Sequence, residues 1–206
     1  EVLSKNSSPG CPQDDPCLHA GRPCNNHARC VESRDGGGPV CECVLGRSGE
    51  SCHHKTQPAS FSANSYIKMA LTASPPPNTT TLQLRFRTWE ERGQLVAVMS
   101  HHGREKLGLQ LVEGRLCVQL VLHHTPDTQL CLSQAHLNDG KWHDVHANRY
   151  GEWLELLVDE GDGVLYNTTS TPSALQGWTR SLSVDRHEGV HVGGSPEYVG
   201  VSLHTV

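Results

Sequence analysis

The residues of this chain best suited to chemistry are its nine cysteines and fourteen histidines. Seven of the cysteines fall between Cys11 and Cys52, a density that persists as structure in an oxidising compartment. Cys41-Glu42-Cys43 and the nearby His53-His54 offer zinc as an alternative to disulfides. Structural zinc sites, however, space paired cysteines about two to four residues apart, and here a single residue intervenes. The pairs His53-His54, His101-His102 and His123-His124 raise a metal site or a pH switch, but spacing sets no third ligand, so they read as solvated loop histidines. Hydrolytic chemistry finds no footing, because G-x-S-x-G, H-E-x-x-H and a Gly-rich phosphate loop are all absent. His143 and Asp144 are consecutive on a predicted strand and point to opposite faces. The chain is therefore expected to be non-catalytic.

The elements that must position these residues are short. Hydrophobic residues make up 35% of the 206 positions, while 20 Gly and 12 Pro stand where helix formers would be needed. That composition argues against an α-rich enzyme and for a small domain beside a modest one, built from strands and loops. A net charge of -5 and a pI near 6.3 give no reason to expect nucleic acid as a partner. No run approaches the roughly 20 apolar residues of a membrane helix, so no direct membrane insertion is expected. The leader of residues 1–10 lacks the apolar stretch of a signal peptide and reads as the flexible start of a processed chain. Sequons at Asn6, Asn78 and Asn167, beside the cysteine cluster, point to secretion and N-glycosylation.

From Cys17 the spacing runs C-x6-C-x5-C-x10-C-x-C-x8-C to Cys52, with Gly46 and Gly49 between the last two cysteines. About 40 residues cannot bury enough surface to fold unaided, so covalent links replace the missing core. Six cysteines allow 15 connectivities, among which spacing does not choose. The pattern resembles the epidermal-growth-factor-like (EGF-like) module, placed here at residues 11–53. The resemblance implies the pairs Cys17 with Cys30, Cys24 with Cys41, and Cys43 with Cys52. It leaves Cys11 unpaired, as a free thiol or bonded to a partner outside the chain. Calcium-binding members carry an Asp-x-Asp/Asn-Glu/Gln run before the first cysteine and an Asp or Asn after the third; Asp14-Asp15-Pro16 and Glu32 depart from both. Receptor-activating growth factors place an aromatic residue and then Arg before the last cysteine, where this chain has Arg47 and Ser51. A structural spacer is the reading these departures favour.

Beyond a polar linker at residues 54–60, period-two alternation begins. Leu82, Leu84 and Phe86 share one face, with Gln83, Arg85 and Arg87 on the other. Leu107, Leu109 and Leu111 repeat the pattern, Glu113-Gly114 turns the chain, and Leu116, Val118 and Leu120 return. Runs at Val145, Leu154–Val158 and Val190-His191-Val192 extend this meander to an all-β sandwich. Setting Cys117 opposite Cys131 also sets Leu116 against Leu132 and Val118 against Leu130, a self-consistent hairpin that predicts a disulfide rather than two free thiols. Pro75-Pro76-Pro77 beside Asn78 reads as a rigid glycosylated loop rather than a polyproline ligand.

Leu137-Asn138-Asp139-Gly140-Lys141-Trp142-His143-Asp144-Val145, followed by Arg149, resembles the L-N-D-G-x-W-H-x-V signature of laminin-G-like domains. The flanking Leu84–Thr88, Leu107–Leu116, Leu156–Asp159 and Val192-Gly193-Gly194 fit the same order, so residues 61–206 are read as a laminin-G-like antiparallel jelly-roll sandwich. Asp139-Gly140 is expected to turn the chain and Trp142 to plug the core. The resemblance implies calcium as the one candidate metal. Glu105 and Asp127 are the carboxylates nearest the two places where calcium-binding members carry Asp, but the usual Asp pair is absent and no cofactor is expected. The family's closing strand, with its Gly-Cys or similar pair, is expected to be missing, disordered or on a separate piece.

An EGF-like module joined to a laminin-G-like domain resembles part of a modular ectodomain. The cadherin superfamily of adhesion receptors, in its Fat and Flamingo types and its invertebrate-type classic cadherins, carries this tandem close to the membrane. The resemblance implies an extracellular spacer and protein–protein interaction unit, whose partners are cell-surface proteins or neighbouring domains of the parent. The alternative is a module of a matrix protein, as in agrin or perlecan, that binds glycans or receptors; Arg85, Arg87, Arg104 and Lys106 are the basic residues available to it. A growth-factor-like ligand is a third, remoter class.

Overall fold

A computed structural model describes Cys17, Gly21, Cys24 and residues 28–32, 38–63, 65–123, 127–159, 165–169, 181–187 and 189–194. Asn6, Cys11, the leader 1–10, the Asp14-Asp15-Pro16 run and the tip of the His123–Asp127 turn lie outside the described residues, as does everything beyond Gly194. The chain divides into two compact units, Glu1–Pro58 and Ala59–Val206. Among the described residues no helix is long and apolar enough to cross a membrane.

In the first unit, β1 (Ala28–Glu32) and β2 (Pro39–Cys43) form an antiparallel pair with Cys30 opposite Cys41. Disulfides join Cys17 to Cys30, Cys24 to Cys41 and Cys43 to Cys52, with Cα separations of 5.8, 5.6 and 5.3 Å. The sulfurs of Cys17, Cys24 and Cys30 cluster within 4.8 Å because two of these bridges cross side by side at the Cys30–Cys41 position. Both sulfurs of the Cys41-Glu42-Cys43 run are thereby bonded, and no thiolate remains there for zinc. The second hairpin pairs β3 (Arg47–Ser48) with β4 (His54–Lys55). It draws His54 and Lys55, expected in the linker, into this unit. Gly46 at φ 86° and Gly49 at φ 90° make the turn possible, and a Cβ on Gly49 would stand 2.8 Å from the His54 ring.

The second unit is a two-sheet sandwich. Its strands are β5 (Ile67–Met69), β6 (Thr79–Phe86), β7 (Gly93–Met99), β8 (Lys106–Val112), β9 (Arg115–Val121), β10 (Thr128–Cys131), β11 (His143–Tyr150), β12 (Trp153–Asp159), β13 (Leu165–Thr169) and β14 (Val190–Val192). One sheet has the order β10-β9-β8-β7-β14-β5 and the other β13-β12-β11-β6. Alternating side chains of both sheets fill a single core: Leu107, Leu109, Leu116, Val118 and Leu120 from one, Phe86, Val145, Ala147, Leu154, Leu156 and Val158 from the other. β7 lacks alternation because it is buried on both faces, all seven residues being inaccessible, and a bulge between Gln94 and Val96 shifts its register.

The β8–β9 hairpin turns at Glu113 and Gly114, whose φ values of 53° and 75° match the right-handed twist of the strands. Across the next hairpin Cys117 faces Cys131 and Val118 faces Leu130, and the Leu132 N–H donates to the Leu116 carbonyl at 2.8 Å. The Cys117–Cys131 disulfide spans a Cα separation of 4.0 Å and ties the edge strand β10 to the sheet. Replacing both cysteines by alanine is expected to remove about 3 kcal/mol, the loop-closure contribution for a bridge of this span, or roughly 6–12 °C of melting temperature. Thermal unfolding of the double variant against the parent checks this.

Candidate functional site

The L-N-D-G-x-W-H segment forms a clasp at one end of the sandwich. Asp139 Oδ1 accepts from the Lys141 backbone N–H at 2.8 Å and lies 3.0 Å from His143 Nε2, and Gly140, at φ 75°, donates to the Thr88 carbonyl at 2.9 Å. Leu137 donates to the Gly114 carbonyl at 2.7 Å, Gly114 donates to the Glu91 carbonyl at 2.8 Å, and His136 Nδ1 contacts the Glu113 carbonyl at 3.1 Å. The segment thus bonds to the β8–β9 turn of one sheet and to the β6–β7 loop beside the other. His143 is fully buried against Phe86, with ring centroids 5.6 Å apart. Partial burial works to raise the Asp139 carboxyl, but the Lys141 N–H, the His143 ring and the Lys141 ammonium outweigh it and hold the group below its usual 3.8.

Trp142 does not plug the core. His143, Val145, Ala147 and Arg149 are the inward side chains of β11, so the pleat sends Trp142 outward with Asp144. There the Arg85 and Arg87 guanidinium groups stand over its ring, 5.5 and 5.0 Å from the centroid. Arg85 also pairs with Asp144 at 3.1 Å. Trp89 continues the same face: its ring lies on Gly140, where a Cβ would collide with it, and it is 76% exposed. Trp89, Arg87, Trp142 and Arg85 therefore form an aromatic–cationic strip on the outside of the four-stranded sheet. The register continues the face through Asp144 opposite Asp159, His146 opposite Leu157, and Asn148 bonded to Glu155 at 2.9 Å. Tyr150 against Trp153, centroids 5.3 Å apart, ends it.

Of the four basic residues considered together above, only Arg85 and Arg87 belong to this strip. Lys106 lies in the opposite sheet, 9% exposed, with its Cε within van der Waals reach of Gly108, and Arg104 follows the 3-10 turn His101–Gly103. They do not form one cluster, because the two sheets direct their outer faces apart.

The other end of the unit is held by Arg149, which is fully buried. Its Nη2 donates to the Pro77 carbonyl at 2.6 Å, Nη1 to the Gly151 carbonyl at 2.9 Å, and Nε to Thr80 Oγ1 at 3.3 Å. Burial lowers the guanidinium from its ordinary value, and the charge of Glu105 opposes the shift. Glu105 is itself tied by its backbone to Ser100, and Asp127 is exposed. Among the described residues neither belongs to a group of three metal-ligating side chains. His101, expected to be merely solvated, contacts Asp185 at 2.8 Å, while His53, His54 and His123 are exposed. Asn78 is exposed on the loop that Arg149 anchors, and Asn167 is exposed on β13.

Trp89, the Asp144–Asp159 pair and the anchoring role of Arg149 were not singled out from the sequence. Trp89 was in principle accessible: it has the parity of Arg85 and Arg87, and it follows Arg87 by two residues.

A laminin G domain model matches residues 86–204, and an EGF-like domain model matches residues 20–51. The chain is 40% identical to neural-cadherin of Drosophila melanogaster over 209 residues, which covers 99% of this chain and 7% of that protein. It is 31% identical, over 86% of its length and 5% of the relative's, to the basement membrane-specific heparan sulfate proteoglycan core protein of Mus musculus. The chain thus spans a small fraction of these relatives. Among solved structures, domains LG4-5 of the mouse laminin alpha1 chain superpose with a TM-score of 0.56 at 27% identity, covering 70% of this chain and 37% of that one.

Burial is the larger cause that raises the Asp144 carboxyl above its usual 3.8; Arg85 opposes the shift and Asp159 adds to it. An acid raised in the folded state costs stability when ionised, and the cost is relieved as pH falls through the raised pKa. Asp159→Asn is therefore expected to stabilise the unit at pH 7 by about 0.2–1 kcal/mol, the gain fading in acid, as melting curves across pH 3–8 would register. Asp139 has the opposite sign: the stability that it supplies is present above pH 3.8 and lost as pH falls through its lowered pKa. Asp139→Ala strands a buried imidazole and is expected to cost about 1–3 kcal/mol at pH 7, measured by denaturant unfolding.

Proposed function

The chain belongs to the laminin G domain family and carries an EGF-like domain ahead of it, and from that premise we propose that it is a non-catalytic unit of a cell-adhesion receptor ectodomain. In this role it acts as a membrane-proximal spacer and as a protein-interaction unit. Both domains are of types that are characteristically non-catalytic, and the protein is extracellular, membrane-anchored or in the matrix. The observation that carries the adhesion reading is the span of the likeness to neural-cadherin, which runs through 99% of the chain and so takes in both units in order. The disulfides suit the spacer role, because they give the first unit a fixed form that its small core would not supply. The Trp89–Arg87–Trp142–Arg85 strip suits contact with a protein partner, since Trp and Arg dominate the energetics of protein interfaces.

A second reading, a matrix-protein module that binds glycans, draws support from the likeness to the proteoglycan core protein and from the two guanidinium groups on the Trp142 ring. Extraction of the native parent protein with an antibody to this chain tests the two. The adhesion reading expects a large species released only by detergent. Release by salt or chelator alone would overturn it in favour of the matrix reading, which further expects retention on heparin at low salt and elution at modest salt.

A further inference from the structure

The outer face of β13 carries an observation that the adhesion reading does not use. β13 is the last strand of its sheet, and among the described residues β12 is its one strand partner. An edge strand offers a row of backbone N–H and C=O groups to any other chain, and proteins usually protect such edges with Lys, Pro or a bulge. The sequence Leu165-Tyr166-Asn167-Thr168-Thr169 has none of these: it is uncharged, β-prone and free of Pro, and its pairing with β12 runs without a shift in register. Leu165 is 63% exposed. Tyr166 packs toward the core, so the pleat turns Leu165, Asn167 and Thr169 outward.

Asn167 is both the outward residue at the centre of this edge and the acceptor of the sequon Asn167-Thr168-Thr169. It stands directly opposite Leu157, and Leu165 stands two residues away on the same face. We propose that Asn167 carries an N-linked glycan whose first sugars lie over Leu157 and Leu165 and close the β13 edge against pairing with a second copy of the chain. An N-acetylglucosamine ring presents C–H groups that pack on leucine side chains, and its hydroxyls keep the covered surface hydrated. The branches beyond it exclude an incoming strand by volume. Asn78 provides the contrast. It is exposed at the start of β6, the strand at the opposite end of this sheet, where Arg85 already places a charge on the edge, so that edge does not depend on a glycan.

The test uses the full chain secreted from glycosylating animal cells. Site occupancy is read by glycopeptide mass spectrometry, and self-association by sedimentation over a concentration series. The expected result is an occupied Asn167 and a monomer. Asn167→Gln or Thr169→Ala, each of which leaves residue 167 without a sugar, is expected to produce a concentration-dependent dimer with an apparent affinity at least about tenfold tighter than that of the glycosylated chain. Thr169→Ser, which keeps the sequon, and Asn78→Gln are expected to remain monomeric. Leu165→Lys should restore the monomer without the glycan. An unoccupied Asn167 beside an occupied Asn78 would overturn the proposal while leaving the extracellular assignment intact. A glycan-free chain that stays monomeric would overturn it as well. Asn167→Gln keeps the result decisive even where Thr169→Ala is not secreted.

Discussion

The two sheets of the second unit depend on the hydrogen bonds made by one short segment, Leu137 to His143. Each sheet satisfies its own backbone through its ladders, but the turns at the end of the sandwich have polar groups that no ladder reaches. The clasp supplies them. Leu137 enters the core while its N–H bonds the Gly114 carbonyl, and Gly140 bonds the Thr88 carbonyl three residues later. Asp139 then holds the turn from inside and presents an oxygen to the buried His143. Glycine is required at Gly114 and Gly140 twice over, by positive φ and by the Asn138 and Trp89 side chains that occupy the space of a Cβ.

From this constraint the surface follows. Once His143 is drawn inward to Asp139, the pleat obliges Trp142 to face outward, where Arg85 of β6 and Arg87 just beyond it cover the ring. The same parity brings Asp144 beside Arg85 and opposite Asp159, which leaves the face mixed in charge rather than uniformly basic. A strip of Trp and Arg with carboxylates next to it favours contacts made by shape and stacking over long-range attraction of a polyanion. At the far end Arg149 substitutes for a core side chain. Among the described residues its guanidinium donates to Thr80 Oγ1 and to the Pro77 and Gly151 carbonyls, and so fixes the loop that bears Asn78.

Strands with strict alternation were legible from residue types alone: Leu82–Phe86, Leu107–Leu111 and Leu116–Leu120 each put one face in the core as the period-two pattern demands. β7 was not, because Gly93–Met99 is buried on both sides and its apolar run carries no period. β5 and β13 were too short and too polar to stand out; neighbouring strands recruit them. The misplaced Trp142 shows the same limit from another side. Its size argued for the interior, whereas its parity with Asp144 argued for the surface, and parity decided because β11 is pinned on both sides by β6 and β12.

The sequence by itself determined the class of each unit, through cysteine spacing in the first and alternation with the Leu137–Val145 signature in the second, because both encode local geometry that any chain with those residues must adopt. The tertiary structure alone decided which charged and aromatic side chains meet. Arg85 and Trp142 are far apart in the chain, as are Arg149 and Pro77. Their juxtaposition depends on strand order and register across the sandwich, which are set by the packing of the whole core and by no local pattern.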